Sequence, residues 1–156
     1  VIVQMCQLLK ATCRASDKII RWGGDEFLVI ARNMDAYGAE TLAEKLRRAV
    51  AEHNFDLVGG SEVRLSCSVG FAFYPFFPEK PGLVSGEQVL LIADRALYLG
   101  KASGRNAWVG IYSNGGATLP NLLERIQDEL DALVREGVVE IRASFADPER
   151  MVWKHA

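Results

Sequence analysis

Apolar positions repeat with two different periods along the chain, and each change of period marks an element. Val1, Ile2, Met5, Leu8 and Leu9 recur at helical spacing, which predicts an amphipathic helix already under way at the first residue, with no capping residue ahead of it. Ile19-Ile20 and the run Phe27 to Ile30 are separated by a stretch holding Gly23, Gly24, Asp25 and Glu26, which predicts a tight β-hairpin with a first strand over Lys18 to Arg21. Helical spacing returns with Ala39, Leu42, Ala43, Leu46, Ala49 and Val50, from Ala36 to about His53, with charged residues on the other face. This helix is expected to cover the sheet of the hairpin.

Phe55 to Val58, Gly59-Gly60 and Glu62 to Leu65 predict a second small hairpin, and Ser66 to Tyr74 a strand that Pro75 and Pro78 stop. After the loop Glu79 to Ser85, Ser85 or Gly86 can cap a helix from Glu87 to about Gly100. Its core face is Val89, Leu90, Ile92, Ala93, Ala96, Leu97 and Tyr98, leaving Asp94, Arg95 and Lys101 to solvent or ligand. A short strand, Ala107 to Ile111, follows. Composition then changes: Ser113-Asn114-Gly115-Gly116 reads as a linker. Residues 1–111 are therefore expected to form one domain, 112–118 a linker and 119–156 an extension. The extension would hold a helix from Leu119 to Val134, begun near Pro120 and stopped at Gly137, and a strand over Val138 to Ala143. Asp147 to Ala156 has no regular pattern, and Trp153 is placed back on the body.

Composition narrows the function. The 156 residues suit one domain with an appendage, and 18 basic against 20 acidic residues, a net charge of -2, give no surface built for nucleic acid or an anionic membrane. Cys6, Cys13 and Cys67 are odd in number and lack metal-ligand spacing, and the first two lie about 10 Å apart along a helix, too far to bridge. They are expected to be reduced and buried. Two histidines, His53 and His155, leave little from which to build a histidine metal site or triad. With neither a membrane-length apolar run nor a signal peptide, the chain is expected to be cytoplasmic.

The first hairpin carries the strongest chemical signal. Glycine lets a ligand approach the backbone, and adjacent Asp25 and Glu26 suit a hard divalent cation that carries substrate phosphates. Taken alone, the same residues also fit a turn whose carboxylates only solvate its tip.

Three spaced motifs decide between these readings. Gly23-Gly24-Asp25-Glu26-Phe27 is followed by Ser68-Val69-Gly70-Phe71-Ala72, then by Ala93-Asp94-Arg95-Ala96-Leu97-Tyr98 with Lys101, Gly104, Arg105 and Asn106. In this order they resemble the GGDEF domain, over roughly Val1 to Gly110. The resemblance implies an α+β fold with a central, mostly antiparallel sheet flanked by helices, similar to polymerase palms and class III nucleotide cyclases. It implies diguanylate cyclase activity, in which two GTP molecules, each presented by one domain of a homodimer, condense to cyclic di-GMP and two pyrophosphates. Asp25 and Glu26 would then hold Mg²⁺ or Mn²⁺ and act in catalysis, and Gly23 and Gly24 would leave room for the nucleotide. Lys101 and Arg105 would hold the terminal phosphates, although an ordinary basic helix end also places cations there.

Arg14 and Asp17 match the family's Arg-x-x-Asp product-inhibition site, where an Arg stacks on guanine and an Asp accepts from its N1 and N2 groups. Lys45 stands near the expected position of a further basic residue. The plain alternative for Arg14 and Asp17 is a surface ion pair worth at most about 1 kcal/mol.

One family feature does not occur. The pattern D-x-D-x-F-K-x-x-N-D, which supplies a further metal ligand and the guanine contacts on the family's first strand, is not found in this sequence. The expectation is that the sequence is incomplete at its start; Val138 to Ala143 is the other segment that could fill a gap in the sheet. The leading reading is thus a diguanylate cyclase output domain with product inhibition. Its rivals are a catalytically inactive cyclic di-GMP receptor and a structural dimerisation module using the Leu119 to Val134 helix.

Overall fold

The computed structural model divides the chain into two packed units, Val1–Cys67 and Ser68–Ala156, and describes residues 1–115 and 120–153. The first unit runs α1 (Ile2–Thr12), β1 (Lys18–Gly23), β2 (Glu26–Ile30), α2 (Ala36–Glu52), β3 (Asn54–Asp56) and β4 (Glu62–Arg64). Asp35 starts α2 by accepting the Gly38 N–H through its side chain at 2.7 Å, satisfying one of the first-turn donors. The buried stripe of α2 is Ala43, Leu46 and Val50, three members of the expected apolar face. α2 packs chiefly on α1 and β4, whereas α1 is the helix that meets β1. The cover expected from α2 for the first hairpin therefore comes from α1, and Ile20, Trp22 and Ile30 of that hairpin stay exposed.

All three cysteines are unpaired and half-buried rather than fully buried. The Cys67 thiol faces the Leu46 carbonyl at 3.9 Å, and burial pushes its pKa up to about 11 against the opposing pull of Arg47. The fold thus favours the neutral thiol. Its contribution to stability is intact below the unfolded value of 9.0 and is lost as the pH climbs from there toward 11, because the unfolded chain releases the proton first. Alkylation of Cys67 by iodoacetamide in the native protein should keep accelerating toward pH 11, while the urea-unfolded chain levels off near pH 9; a native profile that levels near 9 would contradict this placement.

The second unit runs β5 (Val69–Ala72), α3 (Gly86–Ala102), β6 (Trp108–Ser113), α4 (Leu122–Asp128), α5 (Leu130–Arg135) and β7 (Val139–Ala143), ending in one 3-10 turn at Pro148–Arg150. Ser85 and Gln88 close a reciprocal capping box at the start of α3. The crossover through α3 lets β5 lie parallel to β6, Val69 opposite Trp108 and Ala72 opposite Ile111. β7 then adds antiparallel on the other edge of β6, from Val109 opposite Ala143 to Ser113 opposite Val139. Phe76, Ile92, Ala96, Leu99, Val109, Ile111, Ile126, Leu130, Leu133 and Val139 pack into one core.

The fold is α+β, as expected, and three of the four strand pairings among the described residues are antiparallel. The pairings fall into three sheets rather than one: β1-β2, β3-β4 and β5-β6-β7. β5 is bonded on one edge only among the described residues, and β7 extends the sheet beyond β6 rather than beside β5.

Three local expectations are corrected. Arg95, assigned to solvent or ligand, is buried, its guanidinium bonded to the Ile126 and Trp153 carbonyls. The helix predicted over Leu119 to Val134 is two helices broken at Glu129, whose φ of -131° leaves the helical region. The break lets Arg125 bond Glu136 at 2.7 Å while holding Glu129 at 2.9 Å; in a straight helix, residues eleven apart stand about 16 Å from each other. Tyr112 and Ser113, read as linker, belong to β6. The remainder of that linker at Gly116 to Thr118, the predicted helix start at Leu119, and the last residues Lys154 to Ala156, including His155, lie outside the described residues. Trp153 packs against the core of its unit. No helix among the described residues is long and apolar enough to cross a membrane.

Candidate functional site: the glycine hairpin and its flanking charges

The tip of the first hairpin follows from its glycines. Gly23 pairs with Glu26, and a register shift between Arg21 and Gly23 leaves Gly24 and Asp25 as the turn. Gly24 has φ of 51°, a conformation that costs a residue with a Cβ. A Cβ at either Gly23 or Gly24 would have nothing within 4 Å, so the space beside the tip is open. Arg21 stiffens the turn from below: its Nε and Nη2 donate to the Gly24 carbonyl at 3.1 and 2.8 Å. Sequence reasoning passed over Arg21; its only signal was a long cation three residues before a glycine turn.

Asp25 is exposed at this tip and Glu26 is half-buried beside it. Two adjacent hard oxygen donors are what Mg²⁺ takes from a protein when substrate phosphates and water complete its octahedron, so the residues fit the ion in kind and number. Among the described residues, no group of three or more His, Cys, Asp and Glu is gathered as a self-sufficient metal cage.

Arg14 and Asp17 are brought together in the turn that ends α1. Asp17 Oδ2 accepts the Arg14 N–H at 2.9 Å and the Asp17 N–H donates to the Arg14 carbonyl at 3.0 Å. The Asp17 carboxylate is buried, and its Oδ1 has no hydrogen-bond partner among the described residues. The bond is to the Arg14 backbone, so the surface ion pair considered above does not form, and the Arg14 side chain is left exposed. Lys45 is exposed on α2, with no hydrogen bond or ion pair to either residue among those described.

Lys101 and Arg105 belong to the second unit, at the end of α3. Lys101 lies in the last helical turn and Arg105 in the turn beyond, its N–H donating to the Gly100 carbonyl at 3.0 Å. Both side chains are exposed.

Comparison with known proteins identifies the family. The family profile described as "Diguanylate cyclase, GGDEF domain" matches residues 1–107. The chain is 31% identical, over 88% of its length, to the bifunctional diguanylate cyclase/cyclic di-GMP phosphodiesterase MucR of Pseudomonas aeruginosa, of which it covers 19%. It is 32% identical over 68% of its length to diguanylate cyclase A of Treponema denticola, covering 27% of that protein. Against diguanylate cyclase DosC of Escherichia coli it is 30% identical over 68% of its length, covering 22%. The chain thus spans roughly a fifth to a quarter of these relatives. With the glycine hairpin, the strand of Gly70 and the helix of Lys101 each in place, the chain belongs to the GGDEF family.

Proposed function

We propose that this chain is part of a diguanylate cyclase that condenses two GTP molecules into cyclic di-GMP with release of two pyrophosphates. The observation that carries the reading is the intact hairpin tip, where Asp25 and Glu26 stand beside open space at two glycines. In the reaction each 3′-hydroxyl oxygen bonds to the α-phosphorus of the other GTP, the bond from that phosphorus to the bridging oxygen breaks, and pyrophosphate leaves. Two domains facing each other supply one GTP each, so the working form is a homodimer in the cytoplasm, where GTP is available. Asp25 and Glu26 hold Mg²⁺ or Mn²⁺. When bound, the ion neutralises the phosphates and acidifies the attacking hydroxyl. Lys101 and Arg105 bind the terminal phosphates, and Gly23 and Gly24 keep the nucleotide's approach clear. The proposed metal, phosphate and product-binding residues all fall within residues 1–107, the span of the family match.

Product binding at Arg14 and Asp17 has separate support. The exposed Arg14 side chain stands at the turn that Asp17 closes, where a cation can stack on guanine and hydrogen-bond its edge. Lys45 is the third member of this pocket.

Turnover is tested by incubating the complete protein with GTP and Mg²⁺ and following cyclic di-GMP by chromatography; absence of product would remove the enzymatic reading and leave a receptor. For the regulatory site, calorimetry should show cyclic di-GMP binding weakened at least tenfold in Arg14→Ala, about the loss of one charged hydrogen bond. Equal affinities would dismiss the assignment.

A further inference from the structure

The end of the chain returns to the end of α3 and holds the turn that carries Arg105. Arg150 Nε donates to the Ser103 carbonyl at 2.8 Å and its Nη2 to the Arg105 carbonyl at 3.4 Å, while its guanidinium lies over the Phe145 ring at 4.7 Å. The Val152 N–H donates to the buried Ser103 Oγ at 2.9 Å. From α3 itself, Arg95 anchors the same tail, Nη2 donating to the Trp153 carbonyl at 2.6 Å and Nε to the Ile126 carbonyl at 3.3 Å.

The turn under this grip is strained. Gly104, Arg105 and Asn106 have φ of 102°, 57° and 48°, three successive residues in the left-handed region. For Arg105 and Asn106, which carry Cβ atoms, that conformation costs about 1 kcal/mol or more each and persists only where the surroundings over-determine it. Gly104 also makes room for the grip, since its Cβ position is 3.3 Å from Arg150 Nη2. Of the contacts that hold the turn, those from Arg150 reach both sides of Gly104, bonding the carbonyls before and after it.

We infer that Arg150 is a positioning residue for nucleotide binding: by pinning the Ser103–Arg105 backbone it fixes the direction in which Arg105 meets the terminal phosphates of a guanosine triphosphate. The inference rests on the reading of Arg105 as a phosphate ligand. It gives the segment after β7, which the family match does not reach, a part in substrate affinity.

The test is a double-mutant cycle on the complete protein, read by calorimetry with Mg²⁺ and the α,β-methylene analogue of GTP, which binds without being turned over. Arg105→Ala is expected to weaken binding at least tenfold, and Arg150→Ala by several-fold, on the scale of lost charge-assisted contacts. The double variant should be no weaker than Arg105→Ala alone, because Arg150 acts through Arg105. Arg150→Lys, which keeps the charge but not the fork, should recover only part of the loss. It also serves as the reading variant if thermal melting shows that Arg150→Ala does not fold. Additive losses, or a normal affinity in both Arg150 variants beside a weakened Arg105→Ala, would overturn the positioning role alone. Unchanged binding by Arg105→Ala would overturn it together with the phosphate reading beneath it.

Discussion

Replacing Gly70 by alanine should unpack the second unit. A Cβ at Gly70 would stand 2.1 Å from the Leu97 nitrogen, 2.5 Å from the Ala93 carbonyl oxygen and 2.5 Å from the Leu97 Cα. All three are backbone atoms of α3, with no rotamer by which to move aside. β5 must then leave α3, and the core between them, with Ile92, Ala96 and Leu99 from the helix and Val109 and Ile111 from the neighbouring strand, loses its density. Overpacking into side chains typically costs 1–3 kcal/mol; against immovable backbone the cost should exceed roughly 3 kcal/mol. Urea denaturation measures it, with Gly82→Ala as the control, since a Cβ at Gly82 has nothing within 4 Å and should leave stability unchanged within about 0.5 kcal/mol. Coincident midpoints for the two variants would show that β5 does not lie on α3 as described.

On the proposed cyclase reading, replacing Glu26 by glutamine should silence turnover while leaving the backbone pairing of the hairpin in place. Glu26 opens β2, and its backbone, not its carboxylate, makes the pairing with Gly23, so the hairpin keeps its register in the variant. The amide has nearly the carboxylate's shape but no charge, and a neutral oxygen is a poor ligand for a hard dication. Cyclic di-GMP formation is expected to fall at least roughly a hundredfold, the scale on which single electrostatic contributors to a transition state act. The melting temperature should fall by no more than about 4 °C, the scale of one surface interaction. A glutamine variant that keeps the wild-type rate would take Glu26 out of the chemistry, and one that melts early would make it a structural residue instead.

Some of this architecture can be read directly from the chain because its causes are local. The hairpin is announced by two glycines between apolar runs, and α2 and α3 by a 3.6-residue period, α3 with its cap at Ser85 as well. The candidate metal and phosphate ligands are proposed from equally local signals: each sits within a few residues of a glycine or a helix end. What escaped depends on distant partners. Helical patterning sends an arginine to solvent, yet Arg95 is drawn inward by carbonyls 31 and 58 residues further on, which no local period encodes. The break at Glu129 is likewise invisible to the apolar period, which runs on across it from Leu122 to Leu133. Strand patterns say which residues alternate but not which edges meet, so neither the parallel β5–β6 pair nor the choice of β7's partner was visible.

The buried guanidinium of Arg95 separates the limits of homology from the limits of folding. The family match stops at residue 107, before β6 begins at Trp108 and well before the two carbonyls that Arg95 bonds. A gene fragment cut at the match would remove both acceptors of that guanidinium together with the segments that bury it, open the apolar side of α3 to water where Val109, Ile111, Ile126, Leu130, Leu133 and Val139 had packed, and strip the strand that joins β5 to β7. For expression, domain grafting or biosensor design, the smallest portable piece of this half of the molecule therefore ends not at the homology boundary but after Trp153.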